Sequence, residues 1–174
     1  SLMFALKNYS SAFSNINKAL ELEPDFAEGW LFKGLIFHEL KRYDEALISI
    51  DKALKLKENF ADAWLSKARA QHELKRYDEA IRFYEKHIQL SGWPEDKYLS
   101  WNKIAQNLIS LFLIKGNKEL LETAISALIE STLMFPEYPD AYLTIGECYW
   151  HLKEWQKAIE WTNNGLNKKP AESL

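Results

Sequence analysis

The chain has 174 residues, of which 47% are apolar, and its 22 basic and 25 acidic residues leave a net charge of −3. This balanced charge gives no basic surface for a phosphate backbone, so we expect no binding to nucleic acid. No apolar run approaches the roughly 18 residues that a membrane span needs, and we find no secretory leader, so we expect no membrane partner. The single cysteine, Cys148, has no internal disulfide partner, which favours the cytoplasm.

The first part of the chain predicts helices in a repeated order. Residues 3–24 match the second half of the unit that follows them. Residues 27–60 predict one helix at about 27–40 and a second at about 44–57, joined by the turn KRY. Asp44 stands where a cap or an acidic residue in the first turn stabilises a helix start.

The string HELKRYDEA ties this unit to the next one. It occupies positions 38–46 and again 72–80, so the two copies lie 34 residues apart, and residues 61–92 form a second unit. Gly34 and Ala46 are small where the two helices of a unit must approach closely. A fixed period of this length predicts stacked helical pairs rather than one irregular domain.

Residues 94–136 form a longer unit whose first helix has two possible placements. In one placement Trp101 and Ala105 hold the repeat positions, and in the other Leu108 and Leu111 hold them. We expect one long helix at about 94–114, because residues 101–105 match the repeat better. Pro94 followed by two acidic residues is a helix-start signal. The second helix of this unit is predicted at about 118–134, and residues 139–170 form the last unit.

The combined pattern resembles the tetratricopeptide repeat. The residues that carry the resemblance are a Trp or Tyr, a small residue four positions later, two Ala and a Pro, at a period of 34: Trp30, Gly34, Ala46 and Ala53, then Trp64, Ala68 and Ala80, then Tyr142, Gly146, Ala158 and Pro170. The resemblance covers nearly the whole chain. It implies an all-α fold in which helix-turn-helix repeats stack into a right-handed α-solenoid, as a single array over residues 1–174.

The histidines and the cysteine favour structure over chemistry. His38 and Glu39 are adjacent, and adjacent helical side chains point about 100° apart, so they cannot both face one site well. We find no histidine or cysteine spacing that binds a metal, and no glycine-rich phosphate loop, so we expect no metal and no cofactor. Cys148 is predicted to be a small buried residue and Trp155 a core residue. Trp150 is a candidate anchor for a partner, and the alternative is that it covers a neighbouring helix.

The resemblance also implies that one face of each first helix lines a concave groove. The residues that occupy these groove positions are Glu28, Leu31, Leu35 and His38, then Asp62, Leu65, Arg69 and His72, then Asn102 and Gln106, and finally Leu143, Glu147 and Trp150. A subfamily that grips a peptide carboxylate has Lys and Asn at such places. Here Leu31 and Leu35 stand there, so we expect a groove for apolar anchors instead.

Three functions are compatible with these patterns. The leading hypothesis is a non-catalytic scaffold that binds a peptide or protein segment in the groove. The second is an accessory region of a larger enzyme, for example a glycosyltransferase that carries such repeats. The third is a self-assembly module, because terminal repeats without a polar cover leave an apolar face open.

Overall fold

The computed structural model describes residues 2–168, with side chains from Ser10 onward. Within that range the regular elements are nine helices, and it contains no strand. They are α1 (Leu2–Leu22), α2 (Ala27–Glu39), α3 (Tyr43–Leu56), α4 (Ala61–Glu73), α5 (Tyr77–Leu90), α6 (Pro94–Lys115), α7 (Glu119–Met134), α8 (Pro139–His151) and α9 (Trp155–Leu166). The chain divides into two compact units, Ser1–Arg76 and Tyr77–Leu174. The expected end of the last repeat at Pro170 lies outside the described residues.

Unit 1 consists of α1 to α4. Its core is built where α2 and α3 pair and α4 packs across them, and it contains Ile50 and Ala53, which are fully buried. The approach of α2 to α3 depends on Gly34, because a Cβ atom there would lie 2.7 Å from Ile50 Cγ1. The sequence therefore places glycine, which has no Cβ atom, where the two helices approach closely.

The turn inside HELKRYDEA ends the first helix of each copy in the same way. Lys41 and Lys75 both have φ 58°, in the left-handed region. The backbone N–H of Arg42 donates to the carbonyl of Phe37 at 2.9 Å, and that of Arg76 donates to Gln71 at 2.9 Å. This six-residue loop satisfies carbonyls that the end of a helix leaves without partners. Asp44 lies in the first turn of α3, as the sequence predicts.

Unit 2 consists of α5 to α9. The long helix α6 begins with Pro94 in its first turn and ends before Gly116, which has φ 69°. α6 thus ends at Lys115, one residue beyond the expected position 114. It ends there because Gly116 adopts without strain the left-handed conformation that stops a helix. Both placements considered for the repeat positions of this unit fall within α6.

The core of unit 2 contains polar side chains. His87 is 1% exposed, and its Nδ1 lies 2.8 Å from Ser100 Oγ. Cys148 is completely buried, as predicted. The prediction that Trp155 is a core residue is wrong, because Trp155 begins α9 and is 49% exposed. Among the helices that the structure describes, none combines the length and apolar character that crossing a bilayer requires.

Candidate functional site

In unit 1 the predicted groove residue Glu28 lies near the N-terminal end of α2. Lys57 Nζ donates to Glu28 Oε1 at 2.9 Å. This hydrogen bond lowers the pKa of the Glu28 carboxyl below its usual value. Glu28 is therefore ionised at neutral pH and already has a cation beside it, which reduces its capacity to attract a charged partner.

The apolar residues predicted on α2 differ in their exposure. Leu31 is buried in the core of unit 1, so little of its side chain is available to a partner. Leu35 is half-buried and packs against the same core. Phe32 is 59% exposed and is the most exposed large apolar side chain of α2. On α2 the surface for an apolar contact is therefore carried mainly by Phe32.

His38 lies beside the contacts that join the two copies of HELKRYDEA. Its ring packs edge-to-face on Tyr43 at 5.2 Å between centroids. The Tyr43 hydroxyl in turn donates to Glu73 Oε2 of the second copy at 3.3 Å. Asp44 of the first copy pairs with Arg76 of the second at 3.3 Å. The repeated string thus supplies contacts that hold its two copies together.

The four groove residues predicted on α4 lie along this helix with different exposure. Asp62 and Arg69 are exposed, whereas Leu65 and His72 are half-buried. Ser66 of the same helix is buried and donates its hydroxyl proton to the Asp62 carbonyl at 2.7 Å. The exposed surface of α4 is therefore mainly charged, with Leu65 as its apolar part.

In unit 2 a cleft of about 410 Å³ lies between α6 and α8. We call it the α6–α8 cleft, and its lining includes three of the predicted groove residues, Asn102, Gln106 and Leu143. Leu99 is 53% exposed and Leu143 36% exposed, so both offer apolar surface. Charge is supplied by Lys103 and by Asp140, which also line the cleft. The cleft therefore combines apolar side chains with one cation and one anion.

Asn102 forms a fixed part of this cleft. It is 9% exposed, and its Nδ2 donates to the carbonyl of Tyr98 at 2.9 Å and to Ser131 Oγ at 3.2 Å. The Oδ1 atom of Asn102 has no hydrogen-bond partner among the described residues. Tyr98 is buried beside it, and this burial, followed by the charge of Asp140, raises the pKa of the Tyr98 hydroxyl to about 12. Tyr98 is therefore neutral at physiological pH.

A second cleft in unit 2, of about 480 Å³, lies between α8 and α9. We call it the α8–α9 cleft, and Leu143, Glu147 and Trp150 contribute to it from α8. Trp150 is 62% exposed, and its ring packs edge-to-face on Trp155 at 4.8 Å between centroids. Glu147 Oε1 lies 3.9 Å from His151 Nε2. The structure thus divides the predicted residues of unit 2 between two clefts, with Leu143 at the border of both.

The sequence reasoning missed residues in both clefts. Leu99 lies four residues before Lys103 and seven before Gln106, so the helical period would have placed it on the same face of α6. Ile159 of α9 lines the α8–α9 cleft and is 56% exposed. Ile159 was missed because the sequence analysis considered only the first helix of each repeat.

The described residues contain no group of three or more His, Cys, Asp or Glu that could hold a metal ion.

Two family models match the sequence. Residues 5–87 match the family described as anaphase-promoting complex, cyclosome, subunit 3, and residues 116–169 match the family described as tetratricopeptide repeat. Both are families of tetratricopeptide repeats. The chain is a tetratricopeptide-repeat protein. A comparison with curated proteins found no match.

Solved structures of other tetratricopeptide-repeat proteins have a similar fold. MamA matches with a TM-score of 0.79 at 19% identity, covering 93% of this chain and 89% of its own. YrrB, described as a protein with an unusual peptide-binding site, matches with a TM-score of 0.76 at 20% identity, covering 98% of this chain and 83% of its own. A chain of the hetero-tetramer Cut9–Hcn1 matches with a TM-score of 0.69 at 22% identity, covering 91% of this chain and 28% of its own. At these identities the likeness concerns the fold.

Proposed function

We propose that this tetratricopeptide-repeat protein is a non-catalytic scaffold that binds a segment of another protein in the α6–α8 cleft. The observation that carries the proposal is that Asn102, Gln106 and Leu143 line the same cleft, which has a volume of about 410 Å³. Concave surfaces that combine apolar walls with a few polar groups are the usual binding sites of proteins. We further propose the cytoplasm as its compartment, since the Cys148 thiol is buried and unpaired.

The chemistry of the cleft supports a peptide with an apolar anchor and charged neighbours. Leu99 and Leu143 provide the apolar contact, and such contacts near the centre of an interface contribute most of its binding energy. Lys103 Nζ donates to Gln106 Oε1 at 3.0 Å, and an acidic group of a ligand would replace this weak internal contact.

The structural relatives support the same class of function. The printed description of YrrB names a peptide-binding site, and Cut9–Hcn1 is described as a hetero-tetramer. Binding of protein segments therefore occurs in proteins of this fold.

A random-peptide phage library selected against the immobilised full chain tests the proposal. We expect selected peptides to contain an apolar residue beside an acidic one. The variant Leu99→Glu with Lys103→Glu should weaken their binding by about tenfold or more, because it removes the anchor and reverses the charge. Fluorescence anisotropy with labelled peptides measures the effect.

Leu133→Glu is the matched control. Leu133 is 70% exposed on α7 and lines neither cleft, so its replacement repeats the Leu→Glu part of the change elsewhere on unit 2. Peptides should bind this variant as they bind the unmodified protein. The proposal fails if the library yields no binder, or if its binders tolerate the double change at Leu99 and Lys103.

A further inference from the structure

The helices α6 and α8 run side by side in the same direction. At one end the rings of Tyr98 and Tyr138 lie 5.1 Å apart between centroids, and at the other end those of Phe112 and His151 lie 5.5 Å apart. Both contacts join residues that are about 40 positions apart in the chain. A residue of α6 is therefore level with the α8 residue that follows it by about 40 positions.

This alignment arranges four residues of the α6–α8 cleft so that charged and apolar side chains alternate. Leu99 and Lys103 are one turn apart on α6, and Asp140 and Leu143 are one turn apart on α8. Asp140 is nearly level with Leu99, and Leu143 is level with Lys103. The two leucines therefore occupy one diagonal of the cleft. The other diagonal consists of Lys103 and Asp140, and we call it the charge diagonal.

Both residues of the charge diagonal are exposed and have no counter-charge. Among the ion pairs of the described residues, none includes Lys103 or Asp140, so they pair neither with each other nor with a third residue. Lys103 Nζ donates only to the neutral Gln106 Oε1. Further along the same helix, by contrast, Lys115 pairs with Asp78 of α5 at 3.1 Å. The cleft thus leaves one cation and one anion available to a ligand.

The length of the charge diagonal suits an extended segment. Packed helices lie about 8–10 Å apart and one helical turn rises about 5 Å, so the backbones of Lys103 and Asp140 are roughly 10 Å apart. In the polyproline II conformation, residues three positions apart lie on the same side of the segment and are separated by about 9 Å. Such a segment can place one side chain beside each charge and an apolar side chain between them.

We propose that the α6–α8 cleft selects an extended segment in which an acidic and a basic residue stand three positions apart with an apolar residue between them. The acidic residue pairs with Lys103 on α6 and the basic residue pairs with Asp140 on α8. The apolar residue contacts Leu99 and Leu143. This inference rests on the binding function proposed above, to which it adds the order of the charges along the ligand.

The charges contribute choice of ligand more than affinity. Each pair is exposed to solvent, and an exposed ion pair strengthens binding by only about two- to fivefold. A segment with the opposite order of charges presents like charges to both Lys103 and Asp140, which repel it. Two segments of identical composition are therefore distinguished by the order of their charges alone.

Two fluorescently labelled peptides of ten residues test the inference. Both contain one leucine between a glutamate and a lysine that are three positions apart, in a frame of serine and glycine, and the glutamate and lysine are exchanged in the second peptide. We expect the unmodified full chain to prefer one peptide by about tenfold, as measured by fluorescence anisotropy. Lys103→Glu with Asp140→Lys reverses the charge diagonal and should prefer the other peptide by a similar factor. Damage to the fold cannot produce this inversion, because one peptide gains affinity.

Matched controls separate the charge diagonal from the overall charge of the protein. Lys118→Glu with Glu160→Lys makes the same exchange at exposed positions of unit 2 that line neither cleft, so the preference should not change. A peptide with serine in place of lysine should bind the unmodified protein about two- to fivefold more weakly. Asp140→Asn should remove that difference. High salt should reduce the preference between the two peptides, because it screens exposed charges.

Two results would overturn the inference: equal binding of the two peptides to the unmodified protein, or the same preference in the Lys103→Glu, Asp140→Lys variant. Leu99→Glu separates such a failure from a failure of the proposed function. If Leu99→Glu abolishes binding while the order of charges has no effect, the cleft binds a segment and only the rule for its charges is wrong. Absence of binding by every peptide, or binding that tolerates Leu99→Glu, would overturn both.

Discussion

The hairpins α2–α3 and α8–α9 have the same local design and different surroundings. Both turns contain a lysine in the left-handed conformation, with φ 58° at Lys41 and φ 63° at Lys153. The alanine between the paired helices is buried in both, with Ala46 0% and Ala158 5% exposed. The comparison shows that contacts inside a hairpin are set by its own residues. Burial of its outer leucines depends on which helix packs against it.

The largest difference between the hairpins is expected in the leucine pair Leu54 and Leu166. Leu54→Ala should lower the free energy of unfolding by roughly 2–5 kcal/mol, because it leaves a cavity in a packed core. Leu166→Ala should cost less than about 1 kcal/mol, since this side chain is 69% exposed. Urea denaturation followed by circular dichroism measures both. Equal losses would show that Leu166 is covered in solution.

The second difference concerns pH, because Cys148 of α8 corresponds to Ile36 of α2, which does not titrate. Burial raises the pKa of the Cys148 thiol to about 12. The folded state therefore favours the neutral thiol. The resulting contribution to the free energy of unfolding is complete below the thiol pKa of the unfolded chain, about 8.5, and is lost as the pH rises towards the thiol pKa of the folded protein. Between pH 8 and pH 10 this amounts to roughly 1–2 kcal/mol.

Cys148→Ala should remove this component. Stability measured by urea denaturation at pH 8 and pH 10 should then fall less with pH than in the unmodified protein. The pKa of the Tyr98 hydroxyl is also raised by burial. The loss of stability that it causes at high pH is the same in the variant and in the unmodified protein, so it cancels when the two are compared. An identical decline in both proteins would contradict the assignment to Cys148.

A smaller effect is expected at the glycines that bring the helices of each hairpin together. A Cβ atom at Gly34 would lie 2.7 Å from Ile50 Cγ1 and 3.2 Å from the carbonyl oxygen of Ala46. Gly34→Ala should therefore destabilise the protein by about 1 kcal/mol, after the gain in helix propensity is included. Gly146→Ala should behave similarly, since its Cβ would meet Thr162 and the Ala158 carbonyl.

Thermal unfolding compares the two glycine variants. Similar losses would confirm that helix pairing is a property of each hairpin by itself. The combination Gly34→Ala with Ile50→Ala offers a control, because it removes the Ile50 Cγ1 atom that the new methyl group would meet, so the double variant should lose less stability than the sum of the two single changes. A stability gain from Gly34→Ala alone would contradict the close approach seen in the structure.

The smallest effect is expected at the lysines with positive φ. Lys41→Gly and Lys153→Gly should each stabilise the protein by roughly 0.5–1 kcal/mol, because glycine adopts the left-handed conformation without strain. The two gains should be equal, since the turns share their geometry and both lie outside the apolar contacts. Lys52→Gly, inside α3, is the opposite control and should destabilise. Unequal gains at the two turns would show that neighbouring helices influence them.

The sequence predicted the helices well and the exposed surface only in part. The helix-start signal at Pro94 and the stop at Gly116 mark α6 correctly because they act through local backbone geometry. Leu31 and Leu35 look alike in the sequence, yet one is buried and the other half-buried. Trp155 was expected in the core because it aligns with Tyr43. The Tyr43 hydroxyl donates to Glu73 at the end of α4, whereas Trp155 packs against the exposed Trp150.

By itself the sequence determined the period, the hairpins and the small residues between paired helices, because turns, caps and close approaches depend on residues that are near one another along the chain. Only the tertiary structure decided which apolar side chains remain open. Leu47 and Ile159 hold the same place in the repeat, and the first is 8% exposed while the second is 56% exposed. Burial depends on a helix that lies elsewhere in the chain or in a partner, and no local pattern records whether that helix is present.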